Sequence, residues 1–210
     1  MVVDGRPGSV DDIVVTDTDL WWTTWVFDTP KRCEVARMPK AGGPVEVLAV
    51  DVAAGLGQPY PDGDTALLAS PKGVLRVAVG RAPEVVAGSD LVGGAVTRLA
   101  MDDTRLYVLV AGSRHRLLAI PRAGGAPVEL ADDVNSDADL AVVGDEVLFF
   151  RTVGGVGSGG RAKLQAVPVT GGAERTVASG TYANGDLAVV DGHRVVFSAD
   201  DQVWVASVRG

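Results

Sequence analysis

Ile120-Pro121-Arg122-Ala123-Gly124-Gly125 recurs as Met38-Pro39-Lys40-Ala41-Gly42-Gly43 and, with a changed centre, as Val167-Pro168-Val169-Thr170-Gly171-Gly172. Each copy ends a β-rich stretch in a proline and a glycine pair. That is turn chemistry between two strands: proline fixes its own φ and withholds an N–H, and glycine accepts φ values other residues resist. Pro39 and Pro121 are 82 residues apart and Pro121 and Pro168 are 47 apart. A unit of about 41 to 48 residues fits if one degenerate copy lies between the first two.

Working outward from Pro121, residues 99–101, 106–110, 116–120 and 128–131 read as four short strands, with Asp102-Asp103-Thr104-Arg105 turning between the first pair. The next unit repeats the meander at 140–143, 147–150, 163–167 and 174–178, and the first unit at 13–16, 20–24, 34–38 and 45–49. The degenerate copy has strands at 56–60, 66–69, 74–79 and 84–87, a turn at Pro61-Asp62-Gly63-Asp64, and Arg81-Ala82 in place of Gly-Gly. A fifth unit has only 187–190, 195–198 and 203–208. Its missing outer strand is matched at the other end of the chain, where Met1-Val2-Val3-Asp4-Gly5 resembles Thr176-Val177-Ala178-Ser179-Gly180. The expectation is an all-β chain, a β-propeller of five four-stranded antiparallel blades forming one domain over residues 1–210. The blades fall at about 12–50, 55–88, 98–132, 139–179 and 186–210, and the last is closed by the strand at 1–4. The middle strands fit this, since Trp21-Trp22, Tyr107-Val108, Leu148-Phe149 and Val196-Phe197 put apolar residues on both faces, as sheets packed between sheets require. The counter-reading is a piece cut from a ring of six to eight blades.

Leu20-Trp21-Trp22-Thr23, followed by the hairpin at Pro39, resembles the YWTD and TolB-like β-propellers, which include many bacterial repeat proteins. The resemblance covers the whole chain as a repeat. It implies fold alone, because its motifs shape strands and hairpins.

Composition narrows the function classes. A formal charge of −8, with only 19 Lys and Arg scattered along the chain, disfavours nucleic acid and anionic membranes, whose recognition needs a basic stripe. Cys33 is the single cysteine, which excludes an intrachain disulfide and a thiolate zinc site. No apolar run approaches membrane-spanning length and Met1-Val2-Val3-Asp4-Gly5-Arg6 lacks the pattern of a signal peptide. Membrane insertion is therefore not expected, a monomer is, and the compartment is open. Ala, Gly, Val and Asp usage suggests a bacterial chain, with export or a cell-surface location among the options.

In such a fold the connections from second to third strand, and from the outer strand to the next blade, share a face. Trp25-Val26-Phe27-Asp28-Thr29-Pro30-Lys31, Gly112-Ser113-Arg114-His115 and residues 152–160 belong to the first kind; Asp133-Val134-Asn135-Ser136-Asp137 and Thr181-Tyr182-Ala183-Asn184 to the second. Trp25 and Phe27 suit stacking on a sugar or aromatic ligand, or covering of their own blade. Arg114 and His115 suit an anion or a general base, or a solvated pair. Asn135, Tyr182 and Asn184 suit a polar lining, or turn-backbone bonds. The Asp doublets read as turn formers and Gly154-Gly155-Val156-Gly157-Ser158-Gly159-Gly160 as a loop, since no helix follows to present an N-terminus to phosphate. No catalytic set, metal site or cofactor is read. A binding or interaction propeller taking a protein or a small polar ligand such as a glycan is the leading expectation. The alternatives are a small propeller lyase or hydrolase with a metal or polar site at the mouth of the central channel, and a fragment of a larger propeller surface protein.

Overall fold

The computed structural model describes residues 8–26, 32–52, 58–153, 161–181, 186–199 and 202–208. The fold is all-β, a five-bladed β-propeller, and the chain divides into two compact units, Met1–Leu99 and Ala100–Gly210. The first unit carries one sheet of β1 (Gly8–Val15), β2 (Asp19–Val26), β3 (Arg32–Pro39) and β4 (Glu46–Val52). Its second sheet is β5 (Tyr60–Asp62), β6 (Thr65–Ser70), β7 (Gly73–Ala78) and β8 (Glu84–Gly88), followed by the one-turn helix α1 (Ser89–Val92). The strand β9 (Ala95–Met101) crosses into the second unit and is the edge of the sheet with β10 (Arg105–Ala111), β11 (Arg116–Pro121) and β12 (Val128–Asp132). Then follow β13 (Leu140–Val143), β14 (Glu146–Val153), β15 (Arg161–Pro168) and β16 (Arg175–Thr181), and finally β17 (Leu187–Asp191), β18 (Arg194–Ala199) and β19 (Gln202–Ser207). Every sheet is an antiparallel meander in chain order, four of four strands and the last of three among the described residues. The outer strand expected at Met1 to Asp4 lies outside the described residues.

The repeated Pro-x-x-Gly-Gly closes its hairpin the same way three times. Gly42, Gly124 and Gly171 donate their N–H to the carbonyls of Pro39, Pro121 and Pro168 at 2.9, 3.0 and 2.8 Å. The glycine pairs need positive φ, 88° and 146° in the first copy, 90° and 132° in the second, 84° and 133° in the third. The residue after each proline then donates its N–H to the first turn of the same sheet: Lys40 to Thr18 O at 2.8 Å, Arg122 to Thr104 O at 2.9 Å, Val169 to Asp145 O at 2.8 Å. Both turns at one end of a sheet are thus bonded to each other, and the register of its second and third strands follows.

In the degenerate unit the turn is tighter than the sequence implies. Pro61 and Asp62 lie in β5, paired with Ala66 and Thr65, and Gly63-Asp64 alone turns the chain. Pro61 is tolerated because β5 is an edge strand, where a missing N–H breaks no ladder bond. β2 also runs further than expected, to Val26, because its ladder to β3 continues through Trp25 opposite Cys33. The helix α1 was not expected; Gly93 in the left-handed region ends it, donating to Ser89 O at 2.8 Å.

Each unit packs sheet against sheet. In the first, Trp21, Cys33, Val35 and Leu48 meet Ala66, Leu68, Leu75 and Val77. The Arg37 guanidinium lies 5.2 Å from the Trp21 ring centroid and bonds Glu46 at 2.7 Å, which raises its pKa. In the second unit, Val143, Leu148, Phe150, Ala162 and Leu164 meet Val195, Phe197 and Val208. Between β9 and β10, one Asp102 carboxylate oxygen accepts from the backbone N–H of Thr104 and Arg105 at 2.6 and 2.8 Å while the other accepts from the buried Tyr107 hydroxyl at 2.6 Å. Partial burial alone would raise the Asp102 pKa, but these donors outweigh it and hold it below the usual carboxylate range.

Gly73 (φ 115°) is the tightest backbone approach: a Cβ there would stand 1.9 Å from the Ala87 carbonyl oxygen. Gly73→Ala is expected to cost about 3 kcal/mol or more by urea unfolding, since backbone cannot swing aside. Gly124→Ala, with nothing within 4 Å of its Cβ, should cost about 1 to 2 kcal/mol, the left-handed penalty alone. The depressed Asp102 pKa contributes stability that is present above the unfolded carboxylate value of about 3.9 and lost as pH falls through the lower folded value. Melting curves across that acid range should therefore fall less steeply in Asp102→Asn than in the wild type.

Candidate functional site

Two connections of the second unit and the end of one strand meet at one end of its sheets. The first is the turn from β10 to β11, residues 112–115, which places Arg114 exposed and His115 half-buried. The second joins β12 to β13. Here the chain alternates: Val134, Ser136 and Ala138 are buried, while Asp133 and Asp137 are exposed. Ala138 enters the core beside Leu148 and Phe150, and the Asn135 N–H donates to Phe150 O at 2.8 Å, so this loop is anchored like a strand. The third contribution is Arg151, near the end of β14.

Asp132, the last residue of β12, joins these parts. Its carboxylate is ion-paired with Arg114, and Arg151 Nη2 donates to its carbonyl oxygen at 2.8 Å. The same Nη2 donates to Glu174 Oε1 at 2.7 Å and lies 3.9 Å from Asp132 Oδ1. On the far side of the loop, Ser136 Oγ lies 3.2 Å from His115 Nδ1, and the Asp137 N–H donates to Asn135 Oδ1 at 3.1 Å. Leu187 N–H reaches Asp139 Oδ2 at 3.2 Å, joining the loop to β17.

Two features at this junction cost free energy. Asp133, at φ 49°, is the one non-glycine residue of positive φ among the described residues. Aspartate tolerates this conformation better than most residues, yet it stays unfavourable by about 1 kcal/mol or more. The Nε of Arg151 is buried with no hydrogen-bond partner among the described residues, a cost of about 1 to 3 kcal/mol.

The Ser136 and His115 pair does not make a nucleophile. Ser136 is 2% exposed, so its hydroxyl cannot meet a substrate; it fixes the imidazole instead. No group of three or more His, Cys, Asp or Glu side chains among the described residues is placed to hold a metal ion.

Of the residues singled out in the sequence, Arg114, His115 and Asn135 are brought together here. Trp25 is a strand residue, opposite Ser9 and Cys33, and packs on the core of the first unit. Phe27, Tyr182 and Asn184, and the glycine-rich residues 154–160, lie outside the described residues. Sequence reasoning missed Arg151 and Glu174, named Ser136 only as part of its loop, and read Asp132, in the doublet Asp132-Asp133, as a turn former. The available signal was Arg151 itself, a charge closing the apolar run Val147-Leu148-Phe149-Phe150.

No family model matches the chain, and no curated protein matches it by sequence. Solved structures do resemble it. A puromycin-hydrolysing peptidase of Mycobacterium tuberculosis superposes with a TM-score of 0.71 at 16% identity, over 97% of this chain and 37% of that one. A puromycin hydrolase gives 0.61 at 13% identity, over 90% and 33%. The computationally designed protein Ika8 gives 0.54 at 10% identity, over 98% and 73%. At these identities the likeness is one of fold, and the chain spans about a third of the length of the two hydrolases.

Replacing Ser136 by Ala leaves the imidazole without its buried partner and should cost about 1 kcal/mol in urea unfolding. A change near zero would place that hydroxyl in solvent.

Proposed function

We propose that this chain is a non-catalytic binding or interaction propeller of the YWTD and TolB-like kind. It presents the connections around Arg114, His115 and Asn135 to a protein or to a small polar ligand such as a glycan. The observation that carries this reading is the polar junction at Asp132, where Arg114 and Arg151 are held by Asp132 and Glu174 beside a loop anchored by Ala138 in the core and by Asn135 on Phe150. Binding sites are built this way, on rigid supports, because ordering a floppy loop would subtract from affinity. The net charge of −8 argues against a nucleic-acid partner.

A second reading follows from the comparisons. Two structural neighbours hydrolyse puromycin and are about three times as long as the stretch this chain matches. The chain would then be the propeller portion of a larger hydrolase, binding or admitting a substrate that other residues cleave.

The test is a screen of peptides and glycans against the immobilised chain, repeated with His115→Ala and Asn135→Ala. Binding that weakens roughly tenfold in these variants supports the loop face, since lost bonds at a site cost that order of affinity. Binding indifferent to both variants, or absent for every probe, overturns it. Hydrolysis of puromycin by the chain alone would overturn the non-catalytic reading.

A further inference from the structure

The backbone outlier Asp133 and the unpartnered buried Arg151 Nε are adjacent, because Arg151 Nη2 is bonded to the carbonyl of Asp132. We propose that this junction is a binding site for a carboxylate group, taken up by Arg151 with Arg114 and His115. The proposal deepens the binding-face reading and rests on it.

The chemistry follows from what each donor lacks. A guanidinium binds a carboxylate best through two parallel N–H groups, and Nε with one Nη forms such an edge. In Arg151 the Nη2 is served by single oxygens, Asp132 O and Glu174 Oε1, so Nε has no acceptor among the described residues. A ligand carboxylate that displaces the Glu174 oxygen supplies both. Arg114 is 56% exposed and is held by the Asp132 carboxylate, so it keeps further N–H groups for a ligand. With Nδ1 of His115 held at Ser136, Nε2 is its remaining polar atom.

Charge selects the ligand further. Arg114 and Arg151 are balanced by Asp132 and Glu174, so a single negative charge that takes the place of the Glu174 carboxylate at Arg151 keeps the balance there, whereas a dianion exceeds it. A singly charged carboxylate fits this balance better than phosphate.

The experiment follows the Arg151 Nε–H by nitrogen-15 NMR of the full chain, assigned by its disappearance in Arg151→Lys. Four probes are titrated: acetyl-Ala-Ala-Ala with a free carboxyl end, acetyl-Ala-Asp-Ala-amide, acetyl-Ala-Ala-Ala-amide and inorganic phosphate. The expected result is a saturable downfield shift with one or both carboxylate probes and none with the neutral amide or with phosphate. Whichever carboxylate probe acts at lower concentration identifies the source as a chain end or an acidic side chain. Arg114→Gln, at an exposed position, should fold normally and bind roughly tenfold more weakly. An Arg151 signal unmoved by both carboxylate probes, moved equally by the amide or phosphate, or indifferent to Arg114→Gln overturns the proposal. If an Arg151-independent ligand still perturbs the backbone of residues 112–115, the binding-face reading stands and the carboxylate site alone fails. Should Arg151→Lys fail to fold, Arg114→Gln and comparison of the probes decide the matter.

Discussion

A single backbone hydrogen bond, made three times, sets the register on which the rest of the structure depends. The residue following Pro39, Pro121 or Pro168 donates its N–H to the turn between the first two strands of the same sheet. Two hairpins are thereby locked together at one end, and the strands that leave them have their pairing fixed. A slip of one residue would turn every apolar side chain of β2, β10 or β14 to the opposite face. Since those strands are buried on both faces, the lock also decides which large side chains meet which neighbouring sheet. Basic side chains reinforce it in two copies, Lys40 Nζ reaching Thr16 O and Arg122 Nη1 reaching Asp102 O, both at 3.2 Å.

Fixed register at one end positions the connections at the other. β10 and β14 run without interruption from locked turns to residues 111 and 153, so Arg114 and Arg151 are carried by rigid ladders. The β12–β13 loop is then tied down by Ala138 in the core and by Asn135 on Phe150. Against this well-satisfied background, the left-handed Asp133 and the unpaired Arg151 Nε stand out as local costs.

Much of the fold was legible because its signals are local. A proline with a glycine pair specifies a turn whatever surrounds it, and Asp102, Asp191 and Asn135 bond nearby backbone N–H groups as turn formers do. What was misread depended on pairing between strands. Trp25 was placed in a loop because a long aromatic stretch beside Pro30 resembles one; its ladder partner Cys33 keeps it in β2. Pro61 was read as turn because the edge position of β5 is a property of the sheet, invisible in the sequence. The site was half legible for the same reason. Arg114 and His115 are adjacent in the chain, but Asp132 reaches them through the pairing of β12 with β11, Ser136 through the course of the β12–β13 loop, and Arg151 and Glu174 from the next sheet.

The central claim is that the β12–β13 loop is a built platform and not a loose connection. Amide hydrogen exchange at Asn135 tests it most directly, because that N–H is bonded to Phe150 O at 2.8 Å although the residue lies in no strand. The account predicts exchange as slow as that of the β14 ladder amides, opening only with the sheet itself. Exchange as fast as that of the exposed Ser113 would contradict it.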